Sequence, residues 1–323
     1  MKTLTNRFFV AVSLLAFLVY GCSKSSIESS NNNLIQPNNL SSNGTHVYGL
    51  LPMSPDQYMN LPLYSKETFQ SGLVQKSVTL NPPHIYTLVS PAVRDQGQIG
   101  SCTAFCGAEA DEILYYYKYS AWQSILSPAF IYYCERVLIQ GQPISADLGA
   151  YMVNIPQALQ KYGDCLESSY LYPSSNTSTA YNTAPTTAAF AEGLTYKIGQ
   201  TVSSFTLINS GDTAAVKNIL RGNVPVMLGF NVYDNTAYKY FEGLNTTNYT
   251  YNPLTSSGSL TKGVRLLGGH AVPIIGYNDT LKAFLCENSW GTSWGNHGYF
   301  YMPYSVFRSL KIVPGGSVYY ATL

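Results

Sequence analysis

The chain has 323 residues, of which 46% are hydrophobic, and this is enough apolar surface to build a packed core. Its 18 basic and 17 acidic residues leave a net charge of +1, and only 11% of residues are charged. This balance excludes the strongly basic surface typical of nucleic-acid binding, so we expect no nucleic-acid partner. The length fits one large two-lobed domain or two medium domains.

The first 21 residues have the composition of a secretory signal. A basic stretch without acids precedes an apolar run at 8–20, which is too short to span a bilayer comfortably. Because Gly21 stands before Cys22, the segment resembles a bacterial lipoprotein signal, although Tyr20 is bulkier than usual at its position. The resemblance implies that a lipid on Cys22 holds the protein in the cell envelope, at the outer membrane. A plain signal peptide or weak membrane anchor is the alternative.

Two further segments precede the region with regular patterns. Residues 22–46 are rich in Asn and Ser and predict a flexible tether. Residues 47–90 alternate proline turns with short apolar pieces such as Tyr48-Gly49-Leu50-Leu51, and they contain no long amphipathic helix. This extension could wrap the following domain or be a short removable pro-segment, and the sequence leaves both open.

A glycine-rich turn leads into a helix predicted from Cys102 to about Tyr119. Gly97 and Gly100 allow close approach of the backbone, and Ser101 could cap the helix. The unpaired N–H groups of a helix start stabilise an anion, so a thiol there can become a thiolate. From this segment alone, a buried structural cysteine is an equally good interpretation.

The following elements are helices and then strands. Ser127 and Pro128 predict the start of a second helix that runs to about Leu138, and Gly163 closes a third helix over 155–162. From about residue 196 the pattern becomes β-rich and predicts an antiparallel sheet. Its segments are 224–232, 271–277, 282–287, 299–302 and 318–322.

A histidine and an asparagine stand downstream of the cysteine, with Asn288 18 residues after His270. An imidazole can take the thiol proton of Cys102, and an amide can fix the tautomer of the imidazole. From about Pro91 to the C-terminus, the sequence resembles the papain family of cysteine peptidases. The motifs that carry the resemblance are Gln96-Gly97, Cys102, His270-Ala271-Val272, Asn288-Ser289-Trp290-Gly291, Trp294-Gly295 and Gly298-Tyr299.

The resemblance implies an α+β fold over 91–323, with a helical lobe at about 95–195, an antiparallel β lobe at about 196–323, and the active site between them. It implies that Gln96 supplies an oxyanion-hole amide, Cys102 is the nucleophile, His270 is base and acid, Asn288 orients His270, and Trp290 shields their hydrogen bond. The residues that it places along the substrate are Gly149, Ala150, Gly268, Gly269, Ala271 and Trp290. The small residues among them suggest room for a bulky apolar or aromatic side chain.

The chain departs from the family pattern at three places. Ile99 stands where a cysteine is usual, Thr103 where a tryptophan is usual, and Gly269 where an acidic or polar residue precedes the histidine. None of these departures removes a catalytic group. A polar stretch at 245–259 reads as an insertion before His270, and we expect it to overhang the cleft.

Other candidate sites are weaker. Both Cys134 and Cys165 belong to the expected helical lobe, and they are our expected disulfide. Since the sequence lacks Cys-x-x-Cys and His-x-x-x-His pairs, we expect no metal site and no cofactor. The acids Glu109, Asp111 and Glu112 predict a solvated or salt-bridged helix face. His46 is expected to be a solvated residue of the tether.

These patterns together predict a monomeric peptidase that hydrolyses peptide bonds of a peptide or protein through a thiol acyl-enzyme. One alternative is a catalytically silent lipoprotein that uses the same fold to bind peptides. A second keeps the chemistry but changes the acceptor, which gives an amide hydrolase or a transpeptidase.

Overall fold

The structure, a computed structural model, describes residues 46–72, 82–122, 125–173, 182–196 and 205–323. The expected signal peptide, Cys22 and almost all of the expected tether lie outside these residues. Helices dominate up to residue 196 and strands dominate from residue 205, which confirms the expected α+β architecture. Among the described residues, no helix is both long and apolar enough to cross a membrane.

Seven α-helices occur in the described residues. They are α1 (Lys66–Gly72), α2 (Cys102–Tyr119), α3 (Pro128–Tyr133), α4 (Asn154–Lys161), α5 (Thr187–Gly193), α6 (Thr213–Arg221) and α7 (Tyr304–Phe307). Short 3₁₀ turns lie at Pro55–Gln57 and Leu194–Tyr196, and a π-helix at Cys134–Ile139 continues α3. The sequence did not predict α6.

The strands form one antiparallel sheet. They are β1 (Ile85–Thr87), β2 (Phe205–Leu207), β3 (Val226–Asp234), β4 (Arg265–Asn278), β5 (Ala283–Glu287), β6 (Tyr299–Pro303) and β7 (Val318–Ala321). The order across the sheet is β2-β7-β3-β4-β5-β6, and β1 also pairs with β4. The long central strand β4 therefore lies deep in the β lobe, where neighbouring strands fix its backbone.

Helix α2 is the central helix between the lobes. It begins at Cys102 and ends at Tyr119, as the sequence predicts, and Ser120 terminates it with a positive φ of 56°. Ser101 does not cap it, because the Ser101 hydroxyl is hydrogen-bonded to the Tyr172 hydroxyl at 2.6 Å. Every residue from Cys102 to Leu114 is buried, since α2 packs against α3, α4 and the sheet.

The acids of α2 do not form a solvated face, and only Glu112 meets the salt-bridged alternative of the prediction. Glu109 and Asp111 are fully buried, and none of their carboxylate oxygens has a hydrogen-bond partner in the structure. Glu112 is also buried, but Arg94 pairs with it at 3.1 Å and the Leu126 N–H donates to it at 2.7 Å. The prediction of a solvated face failed because α2 is covered on all sides over its first three turns.

The other predicted helix ends agree with the structure. The Ser127 hydroxyl accepts from the Phe130 N–H at 3.1 Å, so Ser127 is the N-cap of α3 and Pro128 lies in its first turn. Gly163 follows α4 with a φ of 71°, as a glycine after a helix end commonly does.

The middle of the 245–259 stretch packs along the sheet. The Tyr251 N–H donates to the Tyr301 carbonyl at 2.9 Å, and the Tyr301 N–H donates to the Tyr249 carbonyl at 2.8 Å. The Tyr251 ring is buried against Phe230 with centroids 5.7 Å apart. The middle of this insertion therefore extends the hydrogen bonding of β6 and contributes to the core.

The expected Cys134–Cys165 disulfide is not formed. Both residues are buried free thiols, although Cys165 lies close enough to contribute to the raised pKa of Cys134, after burial, Asp164 and Glu135. Sequence position could place them in one lobe, but a disulfide also needs a specific arrangement of the two Cβ atoms.

Candidate active site

Cys102 lies at the start of α2 beside the strand that carries His270. The backbone N–H groups of Gly49, Ala271 and Thr103 lie near its sulfur, where they act to lower the pKa of the thiol. Because Ala271 follows His270 directly, these contacts bring the predicted nucleophile and the predicted base to the same place, where the helical and β lobes meet.

His270 is held in one orientation by Asn288. Its Nε2 lies 2.7 Å from the Asn288 Oδ1, which also accepts from the Ser289 N–H at 2.9 Å. An amide oxygen only accepts, so Nε2 carries a proton and the neutral ring has its lone pair on Nδ1. Nδ1 is buried and makes no hydrogen bond in the structure. The imidazole is thus prepared to take a proton at Nδ1.

An aromatic shell encloses His270, which has no exposed surface. The Trp290 ring lies 5.2 Å from the imidazole, consistent with the expected shielding of the bond to Asn288. The other rings within 6 Å are those of Phe230, Phe241 and Tyr48. Water is therefore excluded from one side of the imidazole.

Gln96 connects the two lobes and points its amide into the cleft. Its Oε1 accepts from the Ser289 hydroxyl at 2.7 Å, which orients the amide. Its Nε2 donates to the Ile99 carbonyl at 2.9 Å and to the Val47 carbonyl at 3.0 Å. The donor expected to hold an oxyanion is therefore occupied by a carbonyl of the chain's own N-terminal extension.

Residues 46–51, which we call the cleft segment, run through the whole site. The Leu50 N–H donates to the Gly269 carbonyl at 3.0 Å, and the Leu51 N–H donates to the Ala150 carbonyl at 2.8 Å. The Ala150 N–H in turn donates to the Gly49 carbonyl at 2.9 Å. The sequence-predicted wall residues therefore pair with the chain itself, and both Cys102 and His270 are completely covered.

The passage is so narrow that it requires glycines. A Cβ on Gly49 would lie 1.9 Å from the Gly100 carbonyl oxygen, and one on Gly149 would lie 2.0 Å from the Gly49 carbonyl oxygen. Gly269, where the family usually has an acidic or polar residue, would place a Cβ 2.5 Å from the Leu50 carbonyl oxygen. This departure from the family pattern thus makes room for the cleft segment.

His46 anchors the start of the cleft segment, contrary to the expectation of a solvated residue. Its ring stacks on Trp290 with centroids 4.6 Å apart and planes 10° from parallel. Its Nε2 lies 3.3 Å from the Asp95 Oδ1. Contact with His46 lowers the pKa of Asp95.

Burial favours the neutral forms of both catalytic groups while the segment is in place. It raises the pKa of Cys102 to about 12 and lowers the pKa of His270 to about 4. At neutral pH the site therefore holds a thiol and an imidazole, and the thiolate–imidazolium pair expected of an active enzyme is not favoured in this covered state.

The remaining departures lie beside the catalytic groups. Ile99 is buried in the core where a cysteine is usual. The Thr103 hydroxyl donates to the Glu135 Oε2 at 2.7 Å, which satisfies one oxygen of a buried carboxyl. Among the described residues, no group of three His, Cys, Asp or Glu side chains could hold a metal ion.

The sequence did not indicate the roles of Val47, Tyr48 and Glu242 in this site. Tyr48 is 2% exposed, and its hydroxyl donates to the Glu242 Oε1 at 3.3 Å. The available signal was the glycine inside the apolar Tyr48-Gly49-Leu50-Leu51 piece, which permits a close backbone approach.

Comparisons with known proteins agree with this geometry. The papain family cysteine protease model matches residues 86–313. A peptidase C1-like protein of Acanthamoeba polyphaga mimivirus is 30% identical over 219 residues, which cover 65% of this chain and 63% of the relative. A cathepsin B-like protein of Giardia intestinalis is 28% identical over 224 residues, with the same two shares. The chain thus spans a little less than two thirds of the length of these relatives.

Solved structures show the same fold. Xylellain, a cysteine protease from Xylella fastidiosa, is 28% identical with a TM-score of 0.67, and the match covers 85% of this chain and 95% of that one. A procathepsin B from Trypanosoma congolense has a TM-score of 0.60 at 17% identity, covering 91% of this chain and 90% of the other. The second match supports the fold alone.

Proposed function

Since the chain belongs to the papain family of cysteine proteases, we propose that it is a cysteine peptidase and that the cleft segment keeps it latent. The observation that carries the proposal is the 2.7 Å bond between His270 and Asn288, which leaves the His270 Nδ1 as a proton acceptor. Cys102 and Gln96 complete the set of groups that thiol-based acyl transfer needs.

The proposed reaction begins when the cleft segment leaves and a peptide enters. His270 takes the thiol proton at Nδ1, the Cys102 sulfur bonds to the scissile carbonyl carbon, and the carbonyl oxygen becomes an oxyanion. The Gln96 Nε2 and the Cys102 N–H would hold that oxyanion. His270 then gives its proton to the departing amine as the C–N bond breaks, which leaves a thioester.

Water completes the cycle. His270 removes a proton from the water as its oxygen attacks the thioester carbonyl. Collapse of the second tetrahedral intermediate breaks the C–S bond, releases the carboxylic acid and returns the proton to Cys102. Asn288 keeps the imidazole oriented throughout, and the aromatic shell keeps other water away from it.

The latency follows from the groups that the cleft segment presents. Gly49 offers its N–H to the Cys102 sulfur, whereas its carbonyl is turned to the Ala150 N–H. The Val47 carbonyl occupies the Gln96 amide. The segment therefore lies against the sulfur and occupies the expected oxyanion donor, so it blocks the entry of a substrate.

A full-length Gly49→Ala variant tests this function. Because the new Cβ would meet the Gly100 oxygen at 1.9 Å, we expect the cleft segment to be expelled. An epoxide inhibitor of thiol proteases should then label Cys102, as mass spectrometry can show, and the variant should cleave a mixed peptide library. Wild type should react far more slowly.

The matched control is Gly49→Ala combined with Cys102→Ala, which should show neither labelling nor cleavage. A thermal melt should show that both variants are folded. If the folded Gly49→Ala chain is neither labelled nor active, the peptidase proposal fails and a peptide-binding role becomes preferable. Release of amine that depends on an added nucleophile would indicate a transpeptidase instead.

The proposed setting is the cell envelope, with the chain attached through a lipid on Cys22. The support is the signal-like composition of the first 21 residues, which lie outside the described part of the chain. Expression with a labelled fatty acid tests it, since Cys22→Ser should lose the label and leave the membrane fraction. A wild-type chain without label would contradict it.

A further inference from the structure

We propose that the pocket that holds Tyr48 is the leaving-group specificity pocket of the enzyme, and that it selects tyrosine over phenylalanine directly after the cleaved bond. This inference rests on the proposed peptidase function and adds a substrate preference to it. The evidence for it is the position of Tyr48, the side chain of the cleft segment that lies against His270.

The pocket fits an aromatic ring closely. The Tyr48 ring meets the imidazole of His270 edge-on, with centroids 5.9 Å apart, and lies 5.5 Å from the Trp290 ring. The floor is Gly268, where a Cβ would come within 2.6 Å of the Tyr48 Cβ. A ring at this place is desolvated and touches two aromatic partners, which favours it over a small side chain.

A fixed acceptor lies at the far end of the pocket. The Tyr48 hydroxyl donates to the Glu242 Oε1 at 3.3 Å. The backbone of Glu242 is held in turn by the buried carboxylate of Asp234, which accepts from the N–H groups of Tyr240, Phe241 and Glu242 at 2.5 to 3.2 Å. Because the turn after β3 is tied down in this way, the position of the acceptor is preset.

On its other side, Glu242 lines a polar cavity of about 150 Å³. Its lining residues are Asp234, Asn235, Thr236, Lys239, Glu242, Arg265 and Leu267. The base of the pocket is therefore apolar and its end is polar, which matches the two ends of a tyrosine side chain. A phenylalanine ring would fill the base but would leave Glu242 without this donor.

The position of the catalytic groups decides which substrate residue enters the pocket. Leu50 lies on the other side of Gly49, where its side chain would meet a Cβ on Gly229 at 2.9 Å and its N–H is bound by the Gly269 carbonyl. Tyr48 instead lies against His270, the group that must protonate the departing amine. In a bound substrate, the residue that carries the departing amine must lie next to His270. The side chain of that substrate residue is therefore the one that enters the Tyr48 pocket.

The test uses the full chain carrying Gly49→Ala and Tyr48→Ala, in which the pocket is vacant. The values of kcat/KM are compared for three fluorescence-quenched peptides. These peptides differ only in the residue directly after the cleaved bond, which is Tyr, Phe or Ala. We expect Phe to exceed Ala by at least about 10-fold, from ring burial. Tyr should exceed Phe by about 3- to 10-fold, from one hydrogen bond to a partly exposed acceptor.

Variants of Glu242 separate the hydrogen bond from the ring. In the same background, Glu242→Ala should bring the ratio of kcat/KM for Tyr over Phe to about 1, whereas Glu242→Gln should retain part of the preference through its Oε1. A second measurement adds Tyr-amide or Phe-amide as a nucleophile that competes with water for the acyl-enzyme. More of the acyl group should be transferred to Tyr-amide than to Phe-amide. Glu242→Ala should make the yields of the two transfer products equal.

The outcomes distinguish this inference from the function on which it rests. If no peptide is cleaved, the peptidase proposal itself fails. If peptides are cleaved but Tyr, Phe and Ala are equivalent, or the preference for Tyr survives Glu242→Ala, the pocket inference is overturned while the peptidase proposal stands.

Discussion

The two lobes surround their catalytic residues with different kinds of side chain. On the helical side, the helix of Cys102 and its neighbours bury carboxyl groups that have oxygens without partners: Glu109, Asp111, Glu135 and Asp164. On the β side, His270 lies among aromatic rings: Tyr48, Phe230, Phe241 and Trp290. The helical lobe thus buries several groups that respond to pH, whereas the side chains packed around His270 are mainly aromatic rings.

This difference separates two ways of stabilising a cleft. Burial raises the pKa of each of the four helical-lobe carboxyls, so these groups hold protons that they would lose in the unfolded chain. The aromatic shell instead stabilises by burial and ring contacts. We expect removal of a ring to cost stability at every pH and removal of a carboxyl to change its pH dependence.

The largest effect should come from Phe241, whose ring contacts six other rings within 6 Å, including those of His270 and Trp290. Phe241→Ala should lower the free energy of unfolding by about 3–5 kcal/mol, measured by urea titration. The control is Tyr238→Ala, because Tyr238 is 72% exposed and its loss should cost under about 0.5 kcal/mol. Equal effects would contradict the role given to the aromatic shell.

Gln96 connects the two lobes, and its replacement should give the next largest effect, which is a loss of catalytic rate. In the Gly49→Ala chain, Gln96→Ala should lower kcat by about 10²- to 10³-fold because an oxyanion donor is lost. Gln98→Ala, a change of an exposed side chain nearby, serves as the control and should leave kcat within about twofold. A Gln96→Ala enzyme with normal kcat would remove the amide from the mechanism.

Glu135 tests the pH dependence of the helical lobe. Burial raises its pKa to about 8, against about 4.3 in an unfolded chain. The folded state therefore holds a proton that the unfolded state has lost, and stability falls as pH rises from about 4.3 to about 8. Between about pH 4.3 and about pH 8, this group lowers the free energy of unfolding by about 1.4 kcal/mol per pH unit.

Glu135→Gln keeps an acceptor for Thr103 and removes the titration. Between pH 6.5 and 8, where the buried neutral His270 adds no slope, the unfolding free energy of the variant should fall less steeply than that of wild type. Glu67→Gln, at an exposed site, should leave the slope unchanged. Identical slopes for wild type and Glu135→Gln would show that Glu135 does not carry the buried proton.

The smallest effect should come from the His46–Asp95 contact at the entrance of the cleft. The Asp95 side chain is 55% exposed, so solvent screens the interaction and it is worth under about 1 kcal/mol. Asp95→Asn should speed labelling of Cys102 in the otherwise wild-type chain by up to about fivefold. A far larger increase would mean that this contact, rather than the glycine passage, holds the segment.

The residues that the structure brings together at the candidate site could be identified from the sequence because their signals are local. A glycine-rich turn before a helix and an asparagine that follows a histidine at fixed distance can be recognised along the chain, as Cys102, His270 and Asn288 show. The cleft segment escaped prediction because its position depends on contacts such as that of Gln96 with Val47, 49 residues apart. The burial of the α2 acids was not predicted for a related reason, since only the packing of both lobes shows that α2 has no solvated face.

The blocked cleft also bears on how the protein would mature. The cleft segment lies against the Cys102 sulfur and its Val47 carbonyl occupies Gln96, so a closed molecule has no room for a second chain. Opening is a unimolecular step, whereas the first cut requires an open molecule to meet another. Activation should therefore be autocatalytic, with a lag that shortens as the protein concentration rises. The blocked cleft thus sets the kinetic order of maturation.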